Sequence, residues 1–315
     1  MLFFAKRSKL SLSADRRRGR ERMKTDLIHH METHSAGFSK GQKRIAAFIT
    51  EHYDEAAFMT ACKLGERVDV SESTVVRFAT ELGFAGYPQL QKAMQELIRS
   101  RLTSIQRIEV TKARMSDDQV PEQVMAYDIA NIRQTLEELP RDVFFRAVEA
   151  MVNARRVYIF GAGSCRALAN FAAYYLKLLL PDVHLIYTSS QAEIFEEMLS
   201  IDERDALLGI SFPRYSSKAV KTLHYAHTRG AQVVAITDSE LSPIADYATH
   251  LLLAHSDMPS IVDSLVAPLS VINALAVAIS LRKLEEDRPV LTTLEQLWKD
   301  YQVYQPFADT PDGDA

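Results

Sequence analysis

The second half of the chain alternates short apolar runs with helical segments, and this alternation constrains the fold more than any other sequence feature. Five apolar runs of strand length follow Arg156, at residues 157–160, 183–187, 207–210, 232–237 and 250–254. Helical periodicity fills most of the intervals, at residues 167–180, 191–199 and 217–229. Strands that are apolar throughout are typical of a parallel sheet covered on both faces. We therefore predict an α/β domain with a five-stranded parallel, doubly wound sheet.

The cysteine content and the N-terminal sequence exclude several protein classes. The 315 residues include two cysteines, Cys62 and Cys165, too few for a disulfide framework or a four-ligand zinc site. Near the N-terminus, the longest apolar run, Leu2 to Ala5, is too short for a signal-peptide core or a membrane span. We expect a cytoplasmic protein with no metal, no cofactor and no membrane partner. We expect Cys165, at a helix start, to be a packing thiol, with a redox role as the alternative.

Charge and polarity divide the remainder of the chain into segments. Residues 1–24 hold nine basic and two acidic residues and lack apolar periodicity, which predicts a disordered basic tail. That tail is either an arm that touches phosphates or an extension that precedes a true start at Met23. We assign the other segments as an all-α DNA-binding domain at 25–103, a polar linker at 104–129, the α/β domain at 130–304 and a frayed tail at 305–315.

Two short helices joined by a tight turn predict a helix-turn-helix within the all-α domain. The second helix, which begins after Ser71, places four apolar side chains on one face at helical spacing: Val75, Phe78, Ala79 and Leu82. Its opposite face is small and polar with one guanidinium, which suits the major groove of DNA. The candidate DNA-binding residues are Ser71, Ser73, Thr74, Arg77 and Thr80. On spacing alone, a plain amphipathic helix with a solvated face explains the pattern equally well.

Three strings in this domain match a known family. They are F-S-K-G-Q-K-R-I at residues 38–45, V-S-E-S-T-V-V-R-F at residues 70–78 and L-G-F-A-G-Y at residues 82–87. Residues 25–103 thereby resemble the N-terminal helix-turn-helix of RpiR-family transcriptional regulators. The resemblance implies binding to a double-stranded DNA operator, with Ser73, Thr74 and Arg77 at the groove.

Polar loops follow the first three strands of the predicted sheet, where parallel strands share one crevice. The loops predict binding of a phosphorylated small polar molecule, because hydroxyls, helix starts and an arginine all favour an anion. The candidate residues are Gly161, Gly163 and Ser164 in the first loop, Ser189 and Ser190 in the second, and Ser211, Arg214, Ser216 and Ser217 in the third. Each serine taken singly is also explained as a helix cap or turn residue. A dinucleotide is rejected, because Arg166 replaces the third glycine of that fingerprint and no acid follows the next strand.

The same segment, over about residues 130–288, resembles the sugar isomerase (SIS) domain. The matching strings include V-Y-I-F-G-A-G-S and I-S-F-P-R-Y-S. The resemblance implies a phosphosugar ligand, and its pairing with this helix-turn-helix is the RpiR architecture. The usual S-x-S-G-x-T phosphate loop is altered here. Ser211 and Ser216 keep its first and last hydroxyls, whereas Pro213 and Arg214 replace the middle serine and glycine.

The leading hypothesis is a bacterial regulator of carbohydrate metabolism whose SIS domain senses a phosphorylated sugar. One alternative is a phosphosugar isomerase, for which Glu193 and His224 are the nearest titratable candidates, although neither joins an evident acid, base and phosphate clamp. Another is a metabolite-binding protein that regulates a protein partner without DNA. The long apolar helix from Leu265 to Leu284 must be buried, in part by a second subunit, so we predict a homodimer or homotetramer.

Overall fold

The computed structural model describes residue 31 and residues 33–101 and 104–304. The predicted basic tail at 1–24, including Met23, and the predicted frayed tail at 305–315 lie outside these residues. Within them the chain forms a helical head and an α/β domain, as the sequence predicts.

Between residues 40 and 101, five α-helices of the head surround one apolar core. Their bounds are α1 Lys40–Glu51, α2 Tyr53–Ala56, α3 Ala61–Arg67, α4 Glu72–Glu81 and α5 Tyr87–Arg101. A capping box begins α1, because the Ser39 side chain accepts from the backbone of Gln42 while the Gln42 side chain accepts from the backbone of Ser39. The core contains fully buried side chains from every part of this domain, including Ile45, Ile49, Leu64, Phe78 and Leu90.

The segment that we assigned as a linker, residues 104–129, is mostly helical. It contains α6 (Ser104–Arg114), a 3-10 turn (Asp117–Gln119) and the start of α7 (Val120–Glu138). These helices bury polar side chains rather than an apolar stripe. Arg107, Asn131 and Thr135 are each no more than 4% exposed. A hydrophobicity pattern cannot detect a buried face of that kind.

The α/β domain contains five parallel strands in the order β2-β1-β3-β4-β5, which confirms the predicted doubly wound sheet. Their bounds are β1 Val157–Gly161, β2 Val183–Leu185, β3 Ala206–Ile210, β4 Gln232–Thr237 and β5 His250–Leu253. Strand β1 lies between β2 and β3, so the strand order reverses at this point of the sheet. The loops that follow β1 and β3 border the crevice where ligands bind in sheets of this kind.

Helices cover both faces of the sheet. The remaining bounds are α8 Arg141–Val152, α9 Cys165–Leu179, α10 Gln191–Glu197, α11 Ser217–Thr228 and α12 Val266–Asp300. Side chains alternate along each strand, so Val157 and Ile159 pack with α8, α9 and α12, whereas Tyr158 and Phe160 pack with α10 and α11. The two cores fix the sheet and hold its carboxyl ends in place.

Helix α12 is longer than predicted and is only partly buried within one chain. Ile272, Leu275 and Ile279 are buried, whereas Val277 and Leu281 are 58% and 70% exposed. By length and composition, the stretch Val266–Leu284 is the one stretch in the described residues that could cross a membrane, with 44% of it buried. This is weak evidence for a span, because a core helix has the same composition.

Candidate functional site

The turn between α3 and α4 brings the two helices into close contact. A Cβ atom at position 65 would lie 2.8 Å from the carbonyl oxygen of Val70, so Gly65 is required for packing even though glycine is costly inside a helix. Asp69 adopts a left-handed conformation with φ 53°. The Arg44 guanidinium contacts both its carboxylate, at 2.9 Å, and its carbonyl oxygen, at 2.5 Å. Helix α1 thereby holds the turn that orients α4.

The two faces of α4 are those that the sequence predicts. Val75, Phe78 and Ala79 are fully buried against the head core. The predicted DNA-binding side chains lie on the other side, where Ser71, Ser73, Arg77 and Thr80 are exposed and Thr74 is half-buried. The exposed face is therefore small, polar and accessible.

The start of α4 holds a cluster of hydroxyl groups. Ser71 occupies the N-cap position, but its side chain makes no capping hydrogen bond to the backbone. Its Oγ atom lies 2.9 Å from Ser73 Oγ and 2.8 Å from Thr74 Oγ1 instead. One turn later, Arg77 Nε donates to the Ser73 carbonyl oxygen at 3.3 Å. The candidate residues thus form one contiguous polar surface.

The first loop of the α/β domain follows β1. A Cβ atom on Gly161 would lie 2.5 Å from the Cys165 carbonyl oxygen, so this position requires glycine, and Gly163 has a left-handed φ of 61° that glycine adopts without strain. Ser164 is exposed at the start of α9 and its side chain makes no cap hydrogen bond. Burial raises the pKa of the Cys165 thiol to about 11, which favours the packing interpretation over a redox role.

The second loop follows β2 and leads into α10. Ser190 caps this helix by accepting a hydrogen bond from the backbone N–H of Glu193. Thr188 donates to the Glu193 carboxylate and accepts from the backbone of Ser190 at 3.0 Å. Ser189 is exposed, and its carbonyl oxygen accepts a hydrogen bond from the Lys218 ammonium. This loop is therefore tied to the start of α11.

The third loop follows β3, and its arginine has an unusual backbone conformation. Arg214 is exposed with a φ of 60°, the left-handed region that a glycine would occupy without strain. It replaces the glycine of the usual phosphate loop while keeping a glycine-like conformation. Ser211 is 3% exposed, and Ser216 caps α11 by accepting from the backbone of Lys218 at 3.2 Å. Ser217 is exposed in the first turn of α11.

The structure brings the three loops together at the carboxyl edge of the sheet. Gly161 pairs in register with Ile210, so the β1 and β3 loops begin side by side. Lys218 joins the β2 and β3 loops, because its ammonium donates to the Ser189 carbonyl oxygen. We refer to the three loops that hold the nine predicted ligand residues as the effector loops.

Sequence reasoning missed a cavity of about 760 Å³ between the head and the carboxyl ends of β4 and β5. Its walls include Lys92 and Gln95 of α5, Gln106 of α6, and Asp238 and His255 after the strands. The polar residues that directly follow β4 and β5 were a readable signal for it. The walls that α5 and α6 contribute could not be predicted from the sequence, because they depend on how the head packs against the α/β domain.

The residues considered for an isomerase do not form an acid–base constellation with each other. The Glu193 carboxylate accepts from Thr188, and His224 is exposed with its ring 4.9 Å from that of Tyr247. Among the described residues, no group of three or more His, Cys, Asp or Glu side chains could hold a metal ion.

Two family matches cover most of the chain. Residues 25–101 match the helix-turn-helix domain of the rpiR family, and residues 150–278 match the SIS domain. Among solved structures, the sugar isomerase domain of an RpiR transcription factor from Sphaerobacter thermophilus is 30% identical, with a TM-score of 0.54 over 56% of this chain and 99% of that one. The Vibrio vulnificus NanR protein complexed with ManNAc-6P is 16% identical and shares the fold, with a TM-score of 0.56 over 89% of this chain and all of that one.

Named relatives extend over both domains. The regulator HexR of Pseudomonas aeruginosa is 24% identical over 283 residues, which is 86% of this chain and 95% of HexR. The regulator RpiR of Escherichia coli is 22% identical over 236 residues, which is 72% of this chain and 75% of RpiR. The chain therefore belongs to the RpiR-type family of helix-turn-helix transcriptional regulators that carry a SIS domain.

Proposed function

We propose that α4 is the DNA-recognition helix and that it enters the major groove of a double-stranded operator. The observation that carries this proposal is the exposed polar face of α4, held on a rigid head by the buried Val75, Phe78 and Ala79. A helix with small side chains around one guanidinium can approach base edges closely. Arg77 reads a guanine or contacts a phosphate, and Thr80 lies further along the same face of the helix. The hydroxyl cluster of Ser71, Ser73 and Thr74 contacts phosphates.

The test is fluorescence anisotropy with the DNA upstream of the protein's own gene. We expect affinity that falls steeply with salt, because phosphate contacts release counterions. The variant Arg77→Ala should lose roughly 10- to 100-fold in selectivity for that DNA over random sequence, which corresponds to about 1–3 kcal/mol for a bidentate base contact. The matched control, Arg133→Ala, removes an exposed arginine of α7 and should bind as the wild type does. If Arg77→Ala binds this DNA with the affinity and selectivity of the wild type, the role of α4 is refuted.

We also propose that the effector loops bind a phosphorylated sugar, which alters operator binding. Ser164, Ser211, Ser216 and Ser217 supply hydroxyls near two helix starts, and Arg214 supplies a cation at an exposed position. The NanR protein, which shares this fold, was solved with ManNAc-6P. A thermal-shift panel of sugar phosphates tests this proposal. A rise in melting temperature with one or a few of these compounds would support the proposal. If no compound of the panel stabilises the protein, the proposal is refuted.

We propose that the protein senses its ligand rather than converting it. Its relatives are named as transcriptional regulators. Glu193, the nearest carboxylate considered as a base, is held by Thr188. Incubation with each stabilising sugar phosphate should leave that compound unchanged by NMR. Conversion to an isomer would instead establish an enzyme.

We propose further that the protein acts in the cytoplasm as a homodimer or homotetramer. Helices α9 and α12 expose a set of large apolar and aromatic side chains: Tyr174, Tyr175, Val277, Leu281 and Leu284. A second copy that covers this surface would bury the rest of α12 and pair two heads for two DNA half-sites.

A further inference from the structure

The cavity between the head and the α/β domain has the size and chemistry of a small-molecule site. Its volume of about 760 Å³ lies within the range of about 300–1,000 Å³ that ligand pockets occupy. Its walls come from three parts of the chain: Lys92 and Gln95 from the head, Gln106 from α6, and Asp238 and His255 from the α/β domain. A ligand in the cavity would therefore touch the head, the connecting helix and the sheet at the same time.

The cavity adjoins the effector loops. Tyr215 lies between Arg214 and Ser216 on the β3 loop, and its hydroxyl donates a 2.8 Å hydrogen bond to the Asp238 carboxylate in the cavity wall. Asp238 also accepts from Thr237 at 3.3 Å, which fixes the carboxylate at the end of β4. The Tyr215 side chain thus links the β3 loop to the cavity wall.

The cavity wall is mostly apolar, but it carries several polar groups that can bind hydroxyls. It combines the Asp238 carboxylate, which accepts hydrogen bonds, with the Lys92 ammonium, which donates them, and with amide side chains such as Gln95, which do both. Gln95 Nε2 donates to the Ala57 carbonyl oxygen at 2.8 Å, so this side chain is positioned by the head core. Mixed donors and acceptors of this kind bind the hydroxyls of a sugar.

We propose that the hydroxylated end of the sugar phosphate binds in this cavity and contacts the head through Lys92. This inference rests on the proposed function, because it places the phosphate of the same ligand on the effector loops. The ligand then favours the arrangement in which the head and α/β domain both line the cavity, because only that arrangement offers all of its contacts. Burial raises the pKa of the Glu138 carboxyl on α7, but hydrogen bonds from Gln134 and His255 outweigh it and lower that pKa. The charge of Lys92 makes a smaller contribution in the same direction, so a charge on the head acts on a carboxylate of α7.

The experiment compares two ligands on the full chain by calorimetry: the sugar phosphate that stabilises the wild type most, and inorganic phosphate. The variant Lys92→Ala removes the head contact, and Gln106→Trp fills part of the cavity from an exposed position. We expect each to weaken sugar phosphate binding about tenfold or more and to leave inorganic phosphate binding within about twofold. The controls Lys221→Ala and Ile105→Trp change exposed residues outside the cavity wall and should bind both ligands normally.

The outcomes separate this inference from the proposed function. If the wild type binds no sugar phosphate, the proposed function is wrong and the inference is wrong with it. If the wild type binds but both variants bind equally well, the effector loops act without the cavity and only the inference is wrong. If a variant loses both ligands in parallel, the change has disturbed the loops themselves, and the cavity assignment is also overturned.

Discussion

The guanidinium of Arg107 contacts the carboxylate of Asp263, and the two side chains are only 5% and 11% exposed. Arg107 lies on α6, which follows the head, and Asp263 lies on the loop between β5 and α12. Arg107 also donates to the carbonyl oxygen of Ile261 at 3.3 Å. Helix α7 contacts the same loop, since Asn131 forms two hydrogen bonds to the backbone of Asp257. The connection between the two domains is therefore a packed joint.

Removal of Arg107 should destabilise the protein strongly. The variant Arg107→Ala leaves the Asp263 carboxylate buried without its cation, and breaking a buried pair in this way costs about 3–5 kcal/mol. Urea denaturation, monitored by the fluorescence of Trp298, measures the loss of unfolding free energy. The double variant Arg107→Met with Asp263→Leu should recover most of it, because it removes both charges together.

An exposed ion pair serves as the control for this prediction. Arg146 and Asp142 pair at 2.7 Å on α8, but their side chains are 58% and 69% exposed. Arg146→Ala should cost less than about 1 kcal/mol, as exposed pairs do. Similar losses for Arg107→Ala and Arg146→Ala would contradict the description of a buried joint.

Gly65→Ala should destabilise the head, although alanine forms helices better than glycine. The helix preference of alanine favours the variant by about 1 kcal/mol. The added Cβ would lie 2.8 Å from the Val70 carbonyl oxygen, and forcing the turn apart costs about 1–3 kcal/mol. We expect a net loss of stability and weaker DNA binding, because the turn orients α4. Gly37→Ala is the control, since nothing lies within 4 Å of its added Cβ. If Gly65→Ala is as stable as Gly37→Ala, the turn accommodates the added Cβ without an energetic cost and the prediction is wrong.

Substitutions at Arg214 should separate backbone strain from ligand binding. The left-handed φ of 60° costs a side-chain-bearing residue about 1–2 kcal/mol, and glycine avoids that cost. We expect Arg214→Gly to be more stable than Arg214→Ala by about 1 kcal/mol, while both lose sugar phosphate affinity. Thermal denaturation and calorimetry of the two variants measure these effects. Retained affinity in both would exclude Arg214 from the effector site.

Leu281→Glu should dissociate the assembly. A carboxylate on the α12 surface would have to be desolvated against a second copy, which is strongly unfavourable without a partner. Analytical ultracentrifugation should show a smaller species for this variant. Leu199→Glu changes a side chain that is 72% exposed on another part of the α/β domain and should leave the assembly intact. An unchanged mass for Leu281→Glu would locate the interface elsewhere.

The parts of the fold that the sequence predicts well are those with clear periodicity. The continuous apolar strands required a sheet covered on both faces, and the spacing from Val75 to Leu82 required one buried face on α4. The loops at the ends of β1, β2 and β3 were predictable as neighbours because parallel strands end at one edge. The left-handed backbone conformation of Arg214 in the β3 loop was not predictable, because residue propensities favour glycine in that conformation.

The joint between the domains could not be predicted for a different reason. Its buried residues are polar, and each is satisfied by a partner far away in the sequence, as Thr135 is by the backbone of His255 at 2.9 Å. A polar helix whose polar face is buried gives the same hydrophobic pattern as a solvated linker. The cavity depends on the same packing, so its walls from α5 and α6 could not be identified before the domains were seen together.

The most direct test of the account is whether the sugar phosphate and the operator affect each other's binding. Calorimetry gives the affinity of the protein for the stabilising sugar phosphate, first alone and then with saturating operator DNA. We expect DNA to change this affinity by about 5- to 150-fold, and the sugar phosphate to change the affinity for DNA by the same factor, because the coupling is reciprocal. Equal affinities with and without DNA would show that the two sites act independently and would contradict the account.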